Sequence, residues 1–284
     1  MEFFSLELIH VAAGSLVGFV IGLTGVGGGS LMTPILVLGF GIAPAIAVGT
    51  DLLYAALTKC SGVLFHHKNN TVDWKIVGLL GAGSIPSALI TVVVLEQFKS
   101  SGFNADNLMM MTLSVMLILT SIIVLIKGRL VSYVGHHHGD SSVVRTLKQY
   151  RAHITVLSGV TLGILVTISS VGAGAIGSAI LFLLYPNKKP ISIVGTDIAH
   201  AVPLTAIAGL GHLHLGTVDF DLLTGLLLGG VPAVYLGSFI GQYIPDNWLR
   251  AVIALLLFAM GLKLALRGVS WNGLPFLMEL LAEK

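Results

Sequence analysis

The 284-residue sequence predicts an all-α protein that crosses a lipid bilayer many times, built as two homologous tandem repeats of about four to five membrane segments each, with glycine-rich broken or re-entrant helices. Three observations carry that expectation. The chain is 55% hydrophobic and only 10% charged, with a mean hydropathy of +0.95, whereas a soluble domain carries about 25% charged residues. So few charges cannot cover a water-facing surface, and lipid must solvate most of it. Apolar runs of about 20 residues, enough for a helix to cross about 30 Å of hydrocarbon, follow one another along the chain. The same residues also return at a nearly constant offset, the mark of an internal duplication.

The stretch from Met1 to Glu7 holds two acids and no Lys or Arg, unlike the positive leader of a secretory signal, so the first apolar segment is expected to stay in the chain. The run 6–40 is too long for one span and is interrupted by Thr24-Gly25-Val26-Gly27-Gly28-Gly29-Ser30. The piece after it, 31–40, reaches only about 15 Å as helix, half a bilayer. Full spans follow at 45–64, 72–95 and 108–126. The polar linker 127–153 holds Lys127, Arg129, Arg145, Lys148 and Arg151, which places it in the cytoplasm. It also holds His136, His137 and His138, read as a solvated loop and not a metal site, because only Asp140 stands near them. After the span 154–168 comes a second interruption, Ser169-Ser170-Val171-Gly172-Ala173-Gly174, with the short piece 176–185 behind it. The spans 191–210, 220–244 and 249–266 complete the set. The chain thus divides into a first transmembrane repeat (1–126), the linker (127–153), a second transmembrane repeat (154–267) and a C-terminal tail (268–284). The single cysteine, Cys60, lies in an apolar run and reads as a small buried thiol.

At an offset of 145, Gly14, Gly18, Val26, Gly27 and Gly29 meet Gly159, Gly163, Val171, Gly172 and Gly174. At 146, Val48-Gly49-Thr50-Asp51 meets Val194-Gly195-Thr196-Asp197, His66 meets His212, Thr71-Val72-Asp73 meets Thr217-Val218-Asp219, Gly83 meets Gly229 and Pro86 meets Pro232. If 6–40 crosses once, the copies are parallel; if it turns back as a hairpin, they are inverted. Either arrangement puts ten Lys and Arg on the cytoplasmic side, so charge leaves both open, and the N-terminus without Lys or Arg leans towards inversion.

The glycine-rich breaks point to chemistry. Unwound backbone at membrane depth is tolerated where it lines a cavity or is buried in protein, and glycine lets a ligand approach the chain. A half-helix starting there presents free N–H groups and a positive dipole end, which favour an anion. Gly25, Gly27, Gly28, Gly29 and Ser30 in the first break, with Ser169, Ser170, Gly172 and Gly174 in the second, are therefore candidate binding residues. Gly14, Gly18, Gly159 and Gly163 read instead as close helix packing. Thr50, Asp51, Thr196 and Asp197 lie near the starts of their spans; they either cap those helices or, as ionisable groups in lipid, mark the site. Lys59, well inside a span, either binds an anion, pairs with Asp51 or snorkels to the span's end. His200 shares a helical face with Asp197, as a cavity residue or a hydrogen-bonded core histidine. His66, His67, His212 and His214 are expected in matching loops at the interface. There is no P-loop, HExxH or GxSxG pattern, so no catalytic residue, metal or cofactor is assigned and no enzyme is expected.

The run from Gly18 to Pro34 (GFVIGLTGVGGGSLMTP), followed by Ala47-Val48-Gly49-Thr50-Asp51, resembles the signature of the sulfite exporter TauE/SafE family, the TSUP permeases. Ser170 to Gly174 with Val194 to Asp197 is similar to that family's second copy, although Ala173 and Ala175 stand where the first copy has Gly28 and Ser30, and no equivalent of Pro34 follows. The resemblance implies secondary transport of a small sulfur-containing anion such as sulfite, an organosulfonate, sulfoacetate or thiosulfate, by a multi-pass protein of the cytoplasmic membrane. The expected partners are the anionic solute and the bilayer, without nucleic acid; a coupling ion (proton or sodium) and a homo-oligomer are left open. The alternatives are a cation- or proton-coupled carrier or channel for another small anion or a metal ion, with Asp51, Asp197 and the histidines as ligands, and a membrane enzyme or scaffold.

Overall fold

The computed structural model describes residues 2–24, 29–101, 105–136, 149–241, 243 and 246–282. Gly25, Gly27 and Gly28 of the first break, and His137, His138 and Asp140 of the linker, lie outside them. Among the described residues the chain forms α1 (Glu2–Thr24), α2 (Gly29–Gly39), α3 (Pro44–Lys68), α4 (Trp74–Ser100), α5 (Ala105–His136), α6 (Arg151–Ser169), α7 (Ala175–Leu184), α8 (Pro190–His214), α9 (Phe220–Gly241) and α10 (Asp246–Ala282), with no strand. Six helices are long and apolar enough to cross a membrane, and shorter apolar helices cover Leu8–Leu23, Ser30–Gly39 and Ala175–Leu184. The protein is an all-α, multi-pass integral membrane protein. The helices continue into the segments set apart as linker and tail: α5 runs to His136 and α10 to Ala282.

Close backbone approach fixes how the helices run. A methyl group at Gly14 would strike Leu226, one at Gly18 would strike Gly230, and one at Gly237 would strike Phe19, so α1 and α9 lie parallel and in backbone contact. Gly83 faces Val156 and Val160, and Gly163 faces Ser84, so α4 and α6 are parallel in the same way. Without a hydrophobic force between helices in lipid, such small-residue seams supply the packing that holds spans together. In contrast, Gly49 faces His212 and Thr217 while Gly195 faces His66 and Thr71, so α3 and α8 cross the bundle antiparallel. Asp73, Ser84 and Val92 of α4 and its N-cap meet Thr196, His200 and Gly211 in turn, so α4 is parallel to α8. Asp219 and Gly230 meet Thr50 and Tyr54, which aligns α9 with α3. Asp106 accepts from the Ala45 N–H at 2.9 Å, so α5 starts beside the start of α3.

It follows that α1 and α3 run in the same direction, and the chain has to come back between them. The returning element is α2, whose 11 residues reach about 16 Å. Likewise α6 and α8 run in one direction, and the 10-residue α7 returns between them. Helices 145–146 positions apart (α1 and α6, α3 and α8, α4 and α9) therefore point in opposite directions. Several hydrogen bonds recur at the same separation. His66 and His212 bond Thr71 and Thr217 through Nδ1 at 2.8 and 2.9 Å. The Asp73 and Asp219 amides donate to Thr196 and Thr50 at 2.9 and 3.1 Å.

Three expectations from the sequence need correction. Asp51 and Asp197 do not cap their helices: Pro44 and Pro190 open α3 and α8, two turns earlier, because proline at the first position costs no hydrogen bond. His66 and His212 lie in the last helical turns and not in loops, buried and bonded to the threonine five residues on. Cys60 is exposed on the outer face of α3, its thiol bonded back to the Ala56 carbonyl at 3.2 Å.

Candidate functional site

The second break shows how an interrupted helix is built. At the end of α6, Ser170 adopts a left-handed φ of 57°, and Gly172 and Gly174 follow at 119° and 141°, values that glycine alone adopts readily. The Ser169 hydroxyl donates to the Leu165 carbonyl at 2.7 Å and accepts from the Val171 amide at 3.2 Å, stitching the break to the helix it ends. The turned chain directs the Ala173 carbonyl towards α3, where it accepts a 3.0 Å bond from Lys59 Nζ.

Lys59 is 9% exposed, Asp51 0% and Asp197 2%; among the described residues these are the buried Asp, Glu, Lys and Arg side chains. The Lys59 ammonium interacts electrostatically with both carboxylates, Asp197 and Asp51. Asp51 Oδ2 accepts from Thr33 Oγ1 of α2 at 2.5 Å, and the Ser170 hydroxyl of the second break faces the same carboxyl. Asp197 lies against α7 so closely that a methyl group at Gly177 would overlap its Oδ1. One turn on from Asp197, His200 bonds Ser84 of α4 through Nε2 at 2.8 Å. The two short returning helices therefore each press their N-terminal halves on a buried carboxylate of a crossing helix, and Lys59 interacts with both. A charge this deep persists only when paired or functional.

The family model "Sulfite exporter TauE/SafE" matches residues 10–264. The chain belongs to the TauE/SafE family. Three relatives agree. "Probable membrane transporter protein YjnA" of Bacillus subtilis (strain 168) is 36% identical, over 89% of this chain and 98% of its own. "Probable membrane transporter protein YdhB" of the same organism is 28% identical, over 88% and 96%. A "probable membrane transporter protein" of Methanocaldococcus jannaschii is 27% identical, over 93% and 97%. No solved structure matches the chain.

In this TauE/SafE protein the candidate residues separate into groups. Asp51, Lys59, Ser170, Asp197 and His200 come together in the cluster just described. Thr50 and Thr196 instead accept the amides of Asp219 and Asp73, which ties α3 to α9 and α8 to α4. Ser169, Gly172 and Gly174 shape the second break. Gly29 and Ser30 open α2. Gly14, Gly18, Gly159 and Gly163 make backbone packing seams. Lys59 does not snorkel; its ammonium turns inward to a carbonyl 114 positions away. Sequence reasoning passed over Thr33, Ser84, Tyr54 and Gly177. Each sits in an apolar helical run where a hydroxyl or a glycine is unremarkable, and only the neighbour from a distant segment gives it meaning.

Proposed function

We propose that this protein is a secondary carrier, not an enzyme, that moves a small sulfur-containing anion across the cytoplasmic membrane by alternating access. The solute anion binds at Lys59, between the first turn of α2 and the break 169–174, with Ser170, Asp51, Asp197 and His200 around it. The single observation that carries the reading is the buried Lys59 ammonium bonded to an unwound carbonyl between two half-length helices. A buried cation with mobile hydrogen-bond donors is what a desolvated oxyanion needs. The opposed directions of matching helices fit two inverted copies whose exchange of packing opens the centre to one side and then the other.

The topology supports a cytoplasmic orientation. The end of the bundle where α3 finishes and α4 begins gathers, among the described residues, Lys68, Lys75, Lys127, Arg129, Arg151, Lys188, Lys189 and Arg250, eight in all. The opposite end has Lys99, Lys263 and Arg267. The excess of Lys and Arg marks the first end as cytoplasmic.

A cation carrier is the second reading, favoured by the two buried carboxylates. A thermal-shift screen of purified protein against sulfite, sulfate, thiosulfate, alkanesulfonates, carboxylates and divalent metals separates the two. Stabilisation by sulfur oxyanions, lost in a folded Lys59→Met variant, is the expected result. Stabilisation by metals alone, or anion uptake by Lys59→Met at the wild-type rate, would refute the anion site.

A further inference from the structure

We infer that the Asp51–Lys59–Asp197 cluster is a proton-coupling site, at which each negative charge on the solute is bound together with one proton taken up by a carboxylate of the cluster. The inference rests on the anion reading above and adds its coupling ion and stoichiometry.

Charge balance in a buried site decides the matter. Among the described residues, the side chains here that can carry a full charge are two carboxylates and one ammonium, all buried. His200, Tyr54, Thr33 and Ser170 around them can all remain neutral. On α8, His200 faces Lys59 and is bonded through Nε2 to Ser84 of α4. On α3, Tyr54 faces Asp51, its ring end against Gly230 of α9. From α2 comes Thr33, from the break Ser170 and the Ala173 carbonyl, and from α7 the bare backbone at Gly177. With both carboxylates ionised the cluster carries one net negative charge, and Lys59 is already held by its neighbours. A monoanion arriving alone would double that charge in a buried, low-dielectric setting. A monoanion arriving with one proton leaves the net charge as it was, neutralises one of the carboxylates that hold Lys59, and turns that carboxylate into a hydroxyl donor. A dianion needs two protons, and the cluster has two carboxylates to take them.

The oxygen arrangement favours a proton over a sodium ion. Asp51 Oδ2 already accepts the Thr33 hydroxyl at 2.5 Å, a charge-assisted hydrogen bond that occupies one of its lone pairs. A metal cage would instead turn several oxygen lone pairs to one point.

The test uses full-length protein in liposomes with voltage clamped by potassium and valinomycin, a pH-sensing dye inside, and isethionate as a monoanion that stays ionised throughout. With an inward gradient of one pH unit, wild-type vesicles should accumulate isethionate about tenfold and acidify one proton per anion. Thiosulfate should accumulate about a hundredfold under the same gradient. At least one of Asp51→Asn and Asp197→Asn should equilibrate isethionate without accumulating it, whereas Asp51→Glu, checked for the same monodisperse profile, should retain accumulation. Uptake without acidification, uptake driven by a sodium gradient alone, or tenfold accumulation by both asparagine variants would overturn the proposal. Wild-type vesicles that move none of the anions would instead overturn the anion reading beneath it.

Discussion

Gly177 has no room for a side chain, because its missing methyl group would occupy the space of the Asp197 carboxylate. Gly177→Ala should push Asp197 away from Lys59 and lower anion uptake by at least about tenfold, since misplacement of a reacting group by about 1 Å costs up to about a hundredfold. Uptake by Gly177→Ala within twofold of wild type would remove this contact from the site. Gly78 is the contrasting case: nothing lies within 4 Å of a methyl group placed there. Gly78→Ala should raise stability by about 0.5–1 kcal/mol, as glycine inside a helix costs about that much relative to alanine, and the melting temperature should rise. His212 shows how a polar group is kept in an apolar bundle. Its Nε2 lies 2.9 Å from the Thr167 carbonyl and its Nδ1 2.9 Å from the Thr217 hydroxyl, so both ring nitrogens have hydrogen-bond partners.

Helix ends are secured by means that hydropathy does not reveal. The Asp73 side chain accepts from the Lys75 and Ile76 amides at 3.1 and 3.3 Å, capping α4, and its other oxygen meets Lys188 Nζ at 2.7 Å. Partial burial alone would raise its carboxyl, but the Lys188 ammonium and the capping amides hold it below the usual carboxylate range. A depressed carboxyl contributes its stability above its unfolded value, at roughly pH 4, and loses it as the pH falls through the folded value. Asp73→Ala should cost about 0.5–2 kcal/mol at neutral pH through the lost cap, with little from the largely exposed ion pair. Wild type and variant should converge in melting temperature below about pH 4; a constant gap down to pH 3 would show the cap to be unaffected by protonation. The packing seams make a sharper demand. Gly83 lies against the backbone of Val156 and Val160, so Gly83→Val has to separate α4 from α6 and should destabilise by well over about 1 kcal/mol.

The bundle as assembled has two ends with unequal charge, and sidedness is directly measurable. In a Cys60→Ser background, Lys75→Cys and Ser101→Cys sit at opposite ends of α4, both exposed. An impermeant maleimide added to intact cells should label position 101 and leave 75 unlabelled until the membrane is opened. The reverse pattern would invert the orientation. The structure also explains why two short helices are placed as they are. Because α1 and α3 run the same way, α2 has to turn back inside the bilayer, and its N-terminal half meets Asp51 of α3 through Thr33. The same reasoning puts the first turn of α7 on Asp197. Placing unwound chain next to buried charge gives each what it lacks, since the backbone ends need partners and the charge needs dipoles.

Much of this architecture was legible along the chain, because the signals are local. A span needs only a run of apolar residues. Six of the seven full spans expected from the sequence coincide, to within a few residues at their ends, with the six helices long and apolar enough to cross a membrane. The seventh, 45–64, lies in α3, which is not one of those six. A helix break needs residues that tolerate positive φ, and Ser169 to Gly174 form one. The cluster was half visible. Asp51, Lys59 and Asp197 stand out as charges in apolar runs, but composition cannot tell a cap from a buried partner. That distinction depends on where α3 begins and on which atoms arrive from positions 33, 170, 173 and 177. Helix direction was likewise undetermined by charge counting, which gave ten cations inside for either arrangement. Only the close contacts between spans decided it, because direction and pairing are properties of segments brought together from far apart in the chain, and no local pattern encodes them.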